Sequence, residues 1–198
     1  CVKYSAERAW ISIPGRIAGI YGLEDASNLP FVENVFPRPV KVGSDIDFPR
    51  NNVEKCGNVI TRAPSFKEAL EASENAVSNI FVRLEPRNRR TEDFLACREL
   101  PDERGFPPCA FDAFSELDEI DLRGEIAAGE SVLSSAQNEL RALLKRPQKD
   151  WTHLTALDAA RRFDEKMPNH PAIKKERFWR ALFKGGFQAA VYISDTES

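Results

Sequence analysis

Two histidines, four cysteines and a run of arginines are the side chains of this 198-residue sequence that lend themselves to chemistry. His153, beside Trp151 in a stretch read as helix, has the residue type of a general base, because imidazole titrates near neutrality. No acid partner is visible at short spacing, which favours a structural histidine. Cys56 has no histidine in sequence reach to draw off its proton, so a nucleophile is the weaker reading of that thiol. Cys1, Cys56, Cys97 and Cys109 form no CxxC pair, and His153 and His170 lie far away, so a zinc site is not indicated. The expectation is reduced thiols, some of them buried, in a cytosolic protein. Arg83, Arg87, Arg89 and Arg90 form the densest basic cluster, suited to a phosphate-bearing ligand or an acidic partner surface. Without interleaved aromatic residues for base stacking, a solvated loop is the stronger reading. Phe178, Trp179, Phe183 and Phe187 read as core or interface rather than as a cofactor pocket.

The elements that must position these residues fall into three stretches. Residues 10–21 alternate as extended chain broken at Pro14 and Gly15, and residues 22–30 make a short helix stopped by Pro30. Residues 31–36 and 38–45 read as two strands joined at Pro37, the second ending in a turn at Gly43, Ser44 and Asp45. A further strand over 56–62 leads to Ser65 and Glu68, the spacing of a capping box, which satisfies amide donors at a helix start. Phe66, Ala69, Leu70, Ala76, Val77 and Ile80 then share one face of a helix, and residues 81–85 leave as a strand. The order predicts a compact α+β subdomain over residues 1–86. Residues 87–117 are rich in turn formers and read as an irregular linker. Residues 118–198 read as a helical extension. In it Ile126, Leu133, Ala136, Leu140 and Leu143 predict a helix of about six turns. Trp151, Leu154 and Leu157 mark a second helix, and Pro171 opens a third that Gly185 and Gly186 stop. Residues 190–194 then read as a short strand. The fold class expected is α+β: a small antiparallel sheet backed by helices, plus the helical extension.

Four pieces in order carry a resemblance. They are Pro14, Gly15, Arg16 and Ile17; Gly22, Leu23, Glu24, Asp25 and Ala26; Val40 to Asp45 around Gly43; and Asn52 through Thr61 followed by the helix from Ser65. Over about residues 10–85 they resemble the C-terminal lid, or cap, subdomain of ATP-grasp ligases, nearest to L-amino-acid ligases and more distantly to biotin carboxylase. The resemblance implies an enzyme that phosphorylates a carboxylate with ATP and Mg2+ and passes the acyl phosphate to an amine. It places Lys3 and Arg16 near the active-site opening, where a cation would steady a substrate carboxylate or phosphate, against a reading as solvated surface cations. Asn52 and Lys55 correspond, less closely, to a polar strand entry. The family's magnesium carboxylates and phosphate-gripping lysines lie upstream of its lid, so the resemblance implies that this chain alone binds neither ATP nor a metal. The partner implied is the ATP-grasp core of the same protein or of another chain, with small-molecule carboxylate and amine substrates.

Composition agrees with that setting and narrows it. Lys and Arg number 28 against 31 Asp and Glu, a formal charge of −3, which argues against nucleic acid as a partner. No apolar run reaches bilayer-spanning length, so no membrane partner is expected. No glycine-rich phosphate loop of the Walker type occurs. The chain begins Cys-Val-Lys without a start Met or a signal-peptide pattern, which suggests a piece of a longer cytoplasmic protein. The expected function is therefore the C-terminal portion of an ATP-dependent carboxylate–amine ligase, closing over the acyl-phosphate site. The alternative is a non-catalytic assembly or partner-binding module using helices over residues 120–184, with homo-oligomerisation open in either case.

Overall fold

A computed structural model describes residues 3–99, 101–103 and 105–198. Cys1, expected to be a reduced thiol, and Leu100 and Arg104 of the expected linker lie outside the described residues. The chain forms two compact units: one runs up to Glu85 and includes Trp151–His153, and the other comprises Pro86–Asp150 with Leu154–Ser198.

In the first unit the strands are β1 (Tyr4–Trp10), β2 (Gly15–Tyr21), β3 (Val32–Pro37), β4 (Asp45–Ile46), β5 (Gly57–Ala63) and β6 (Phe81–Leu84). The helices are α1 (Leu23–Ser27) and α2 (Phe66–Asn79). The strands divide into two three-stranded antiparallel sheets, ordered β1-β5-β3 and β4-β2-β6. β5 is the central strand of the first, pairing with β1 from Tyr4↔Ala63 to Trp10↔Gly57 and with β3 from Val32↔Thr61 to Pro37↔Gly57. Pro37 is tolerated because β3 is an edge strand. Gly57, Val59, Thr61 and Ala63 of β5 are buried, as period-two alternation on a half-covered sheet requires. Thr61 Oγ1 donates to the Ala69 carbonyl at 2.6 Å, which joins the central strand to α2.

The local signals explain these elements. Ser65 Oγ accepts from the Glu68 amide at 3.2 Å and donates to Glu68 Oε2 at 2.6 Å, so α2 starts where the capping residues stand. Ala69, Ala76 and Val77 form the buried face of α2, but Phe66, expected on that face, is 62% exposed at the first turn. Gly22 precedes α1 with φ +79°, and a Cβ there would collide with the Asn79 carbonyl oxygen. Residues 38–44, expected as strand, instead lead as a loop into the two-residue β4.

The second unit departs further from the expectation. The stretch expected to be an irregular linker contains α3 (Arg89–Ala96), capped by Asn88, whose Oδ1 accepts from the Arg90 and Thr91 amides. A 3-10 helix follows at Asp112–Glu119. The long helix expected from residue 126 is replaced by strand β7 (Glu125–Ile126), a run of turns, and the two-turn α4 (Asn138–Leu144). Serine is the reason: Ser134 and Ser135 bond back to the carbonyls of Ser131 and Val132, and Ser131 Oγ and the Val132 amide both bond the Asp164 carboxylate. Ile126, Ala136, Leu140 and Leu143 are nevertheless buried, so their spacing marks burial rather than helix.

α5 (Ala156–Lys166) starts at the Thr155 cap, later than expected, and leaves Trp151 outside it. β8 (Ile173–Lys174) pairs antiparallel with β7, which delays the last helix, α6 (Lys175–Glu197), past Pro171. Gly185 and Gly186 kink α6 rather than end it, and residues 190–194 continue as helix rather than strand. Every residue from 181 to 194 is buried; a helix enclosed all round carries apolar residues on every face, which imitates a strand run in the sequence. Among the described residues no helix is long and apolar enough to cross a membrane.

Two substitutions test the local signals. Ser65→Ala removes the cap and is expected to lower stability by about 1 kcal/mol. Gly22→Ala meets both the positive φ and the Asn79 carbonyl and is expected to cost about 1–3 kcal/mol. Thermal and urea unfolding of the two variants beside the parent chain checks both; an unchanged midpoint for Gly22→Ala would contradict the close approach.

Candidate functional site

Arg16 is the second residue of β2, between the buried Gly15 and Ile17, so its side chain takes the solvent-facing side of the strand. Its guanidinium Nε lies 3.3 Å from Glu85 Oε1, with both side chains about half exposed. The Glu85 amide donates to the Arg16 carbonyl at 2.8 Å, which fixes the two residues side by side. The loop after β3 closes the other flank: the Ile17 amide donates to the Ser44 carbonyl at 2.9 Å, and the Gly43 amide donates to the Ile17 carbonyl at 2.8 Å. Ser44 Oγ accepts from the Lys41 amide and the Ser44 amide donates to the Lys41 carbonyl, which shapes the turn. Two motifs far apart in the sequence, Pro14–Ile17 and Val40–Asp45, therefore meet around one exposed cation, with Glu85 paired to it and Asp45 opposite it in the β2–β4 register. Such a group can bind an anion by exchanging its surface pairing with Glu85, because exposed ion pairs hold weakly.

Lys3 immediately precedes β1 and is exposed. It belongs with the β1-β5-β3 sheet, whereas Arg16 is in β4-β2-β6, so the two candidate cations stand on different sheets. Lys55 Nζ pairs with Glu7 Oε1 at 3.3 Å, and Asn52 contributes its carbonyl to Arg38. Arg83 lies on β6, while Arg87, Arg89 and Arg90 belong to the second unit, where Arg89 pairs with Asp93 at 3.6 Å.

His153 is not helical; it adopts φ +64° in the short segment that packs with the first unit. There its Nδ1 stands 3.8 Å from Glu74 Oε1 of α2, a carboxylate that sequence proximity could not reveal. Phe178, Trp179, Phe183 and Phe187 are all buried, with edge contacts between Phe178 and Trp179 (5.0 Å), Phe163 and Phe178 (4.8 Å), and Phe111 and Phe183 (5.8 Å), which settles them as core.

The second unit has a cleft of about 570 Å³ with Arg123, Lys174, Arg177 and Arg180 on its walls. Asp121 pairs with Arg123 at 2.6 Å, Glu92 and Glu197 pair with Arg177 at 3.0 and 3.2 Å, and Asp118 and Glu176 pair with Arg180 at 2.7 and 3.0 Å. Three of the four cations are thus neutralised locally. Glu92 also accepts from the Tyr192 hydroxyl at 2.9 Å. Burial first, and then this bond to a carboxylate, pushes the phenol up to about 12. Burial likewise pushes the Cys56 thiol up to about 12, so it carries almost no thiolate at neutral pH. Among the described residues no three His, Cys, Asp or Glu side chains are grouped to hold a metal ion.

Residues 9–85 match the family model described as L-amino acid ligase C-terminal domain 2. Among solved structures the chain is similar to the crystal structure of L-amino acid ligase from Bacillus licheniformis, at 17% identity and a TM-score of 0.36. That likeness covers 41% of this chain and 20% of the ligase, so the chain spans about a fifth of the length of that solved relative. No curated protein sequence matches the chain.

The two raised groups give a pH prediction. A phenol that stays neutral in the fold stabilises it fully below pH 10, the ordinary tyrosine value, and that contribution is lost as pH rises toward 12. Tyr192→Phe should therefore flatten the alkaline fall of the unfolding midpoint across that window. In the folded chain at pH 8, Cys56 should resist alkylation by iodoacetamide and become labelled only in denaturant, as read by peptide mass mapping.

Proposed function

We propose, on the premise that residues 9–85 are an L-amino acid ligase C-terminal domain 2, that the first unit is the lid of an ATP-dependent carboxylate–amine ligase. The observation that carries the reading is this match, which spans the unit from the end of β1 to Glu85 and includes both motifs that meet at Arg16. In this reading the lid closes over the acyl-phosphate site and excludes water, because an exposed acyl phosphate is lost to hydrolysis before an amine can attack. Arg16 holds the carboxylate or phosphate of the substrate by charge-assisted hydrogen bonds, and Lys3, before the first strand of the other sheet, is a separate candidate cation at the opening. In this reading, metal and ATP belong to an ATP-grasp core supplied by the same polypeptide or by a partner chain, in the cytoplasm, as the resemblance implies.

The first unit also presents Tyr4, Tyr21, Phe31 and Phe36 to solvent, each more than two-fifths exposed. Each of these side chains offers apolar area that a covering domain would bury. Among the described residues the large exposed apolar side chains all lie between residues 4 and 66, which disfavours the alternative of a binding module built on helices over 120–184.

The test reads the coding frame on the 5′ side of the Cys1 codon and assays the encoded polypeptide for amide formation. An ATP-grasp core there, with ADP release that needs ATP, Mg2+, a carboxylate and an amine together, is the expected result. A start codon just upstream, with no ligation by the chain in any pairing, would overturn it. In the active enzyme Arg16→Gln is expected to raise KM for the carboxylate by about 3- to 10-fold at similar kcat. A fall in melting midpoint without a KM change would leave Arg16 a structural partner of Glu85.

A further inference from the structure

Lys184 is fully buried on α6, one residue before the Gly185–Gly186 kink. Buried lysines ordinarily pair with a carboxylate. Among the described residues Lys184 has none. Its Nζ donates to Cys109 Sγ at 3.3 Å, and the faces of Phe94 and Phe114 lie 5.4 and 5.2 Å away. The kink interrupts the helix ladder, and the carbonyls of Lys184 and Phe183 accept instead from the Ala110 and Phe111 amides at 3.0 and 3.1 Å. Those two bonds, immediately after Cys109, hold its sulfur against the amine. The chain thus fixes a nitrogen and a sulfur within the range of about 3–3.5 Å from which bonds form. Cys109 itself is partly exposed, so a small oxidant reaches its sulfur.

We propose that Cys109 and Lys184 are a modification site at which peroxide drives formation of a covalent sulfur–nitrogen bond. The Cys109 thiol gives its proton to solvent, and the sulfur attacks one oxygen of hydrogen peroxide. The S–O bond forms and the O–O bond breaks, leaving a sulfenic acid and hydroxide; sulfur loses two electrons and peroxide gains them. The hydroxide takes a proton from the Lys184 ammonium and becomes water. The freed amine lone pair attacks the sulfenic sulfur, the S–N bond forms, the S–O bond breaks, and the departing hydroxide leaves as a second water with a proton from nitrogen. Thiol, ammonium and peroxide give the sulfenamide, two waters and one proton, which balances.

Burial holds the Cys109 thiol above its ordinary value, while Lys184 on α6 pulls it down; Cys97 after α3 and Asp112 in the 3-10 helix push it up. Oxidation therefore accelerates as pH rises. The product staples the segment at Cys109 to α6 beside its kink.

The experiment treats the whole chain with hydrogen peroxide and maps it by digestion and tandem mass spectrometry. The expected product is about 2 Da lighter, joins the Cys109 peptide to the Lys184 peptide, blocks tryptic cleavage at Lys184 and reverts with dithiothreitol. It persists in Cys97→Ser and is absent in Lys184→Met. A lighter species that disappears in Cys97→Ser would be a Cys97–Cys109 disulfide and would overturn the proposal, as would a Cys109 that carries only added oxygen. The Cys97→Ser map retains the native lysine, so it decides the matter even if Lys184→Met does not fold.

Discussion

A helix buried on every side cannot leave a carbonyl without a donor, and the break in α6 at Gly185 and Gly186 creates two such carbonyls in the middle of the second unit. The amides of Ala110 and Phe111 satisfy them, which is what brings an otherwise irregular stretch of chain onto the helix. Gly186 is suited to the kink because φ +66° suits glycine and because Asp150 Oδ2 lies 2.5 Å from where a Cβ would stand. Before the kink, Phe178 and Phe183 make edge contacts with Phe163 and Phe111, which pack the first half of the helix into the aromatic core. The Lys184–Cys109 contact follows directly from this arrangement.

The first unit depends on a more ordinary constraint. β5 is paired on both edges and covered by α2, so its alternate residues must be small or apolar, and the one buried hydroxyl, on Thr61, must be satisfied. The second sheet carries Arg16 on its open face and frames it with Glu85 and the turn at Gly43. The unit thus combines a sheet with a covered core and an exposed polar position whose surface pairing is weak.

Much of the first unit was legible in the sequence. The Ser65–Glu68 spacing located the start of α2, the strand read over residues 56–62 falls on β5, and the order of motifs pointed to the ligase lid that the family match supports. The second unit was less so. The seven-residue spacing of Ile126, Leu133 and Leu140 predicted a helix, but serine side chains bonding to nearby backbone and to Asp164 offered the chain another way to satisfy its polar groups. Residues 190–194 carry the composition of a strand and are helical, because burial in a long helix overrides local preference.

What the sequence by itself determined was local: caps, turns, the period of apolar residues, and a motif order that resembles one ligase subdomain. These depend on hydrogen bonds and side-chain directions within a few residues of each other. Only the tertiary structure decided which distant groups meet: Arg16 with Glu85, His153 with Glu74, and Lys184 with Cys109, the last pair 75 residues apart. Such pairs form when packed elements close long loops. Their partners are fixed by how whole surfaces fit together, a property that no short stretch of chain contains.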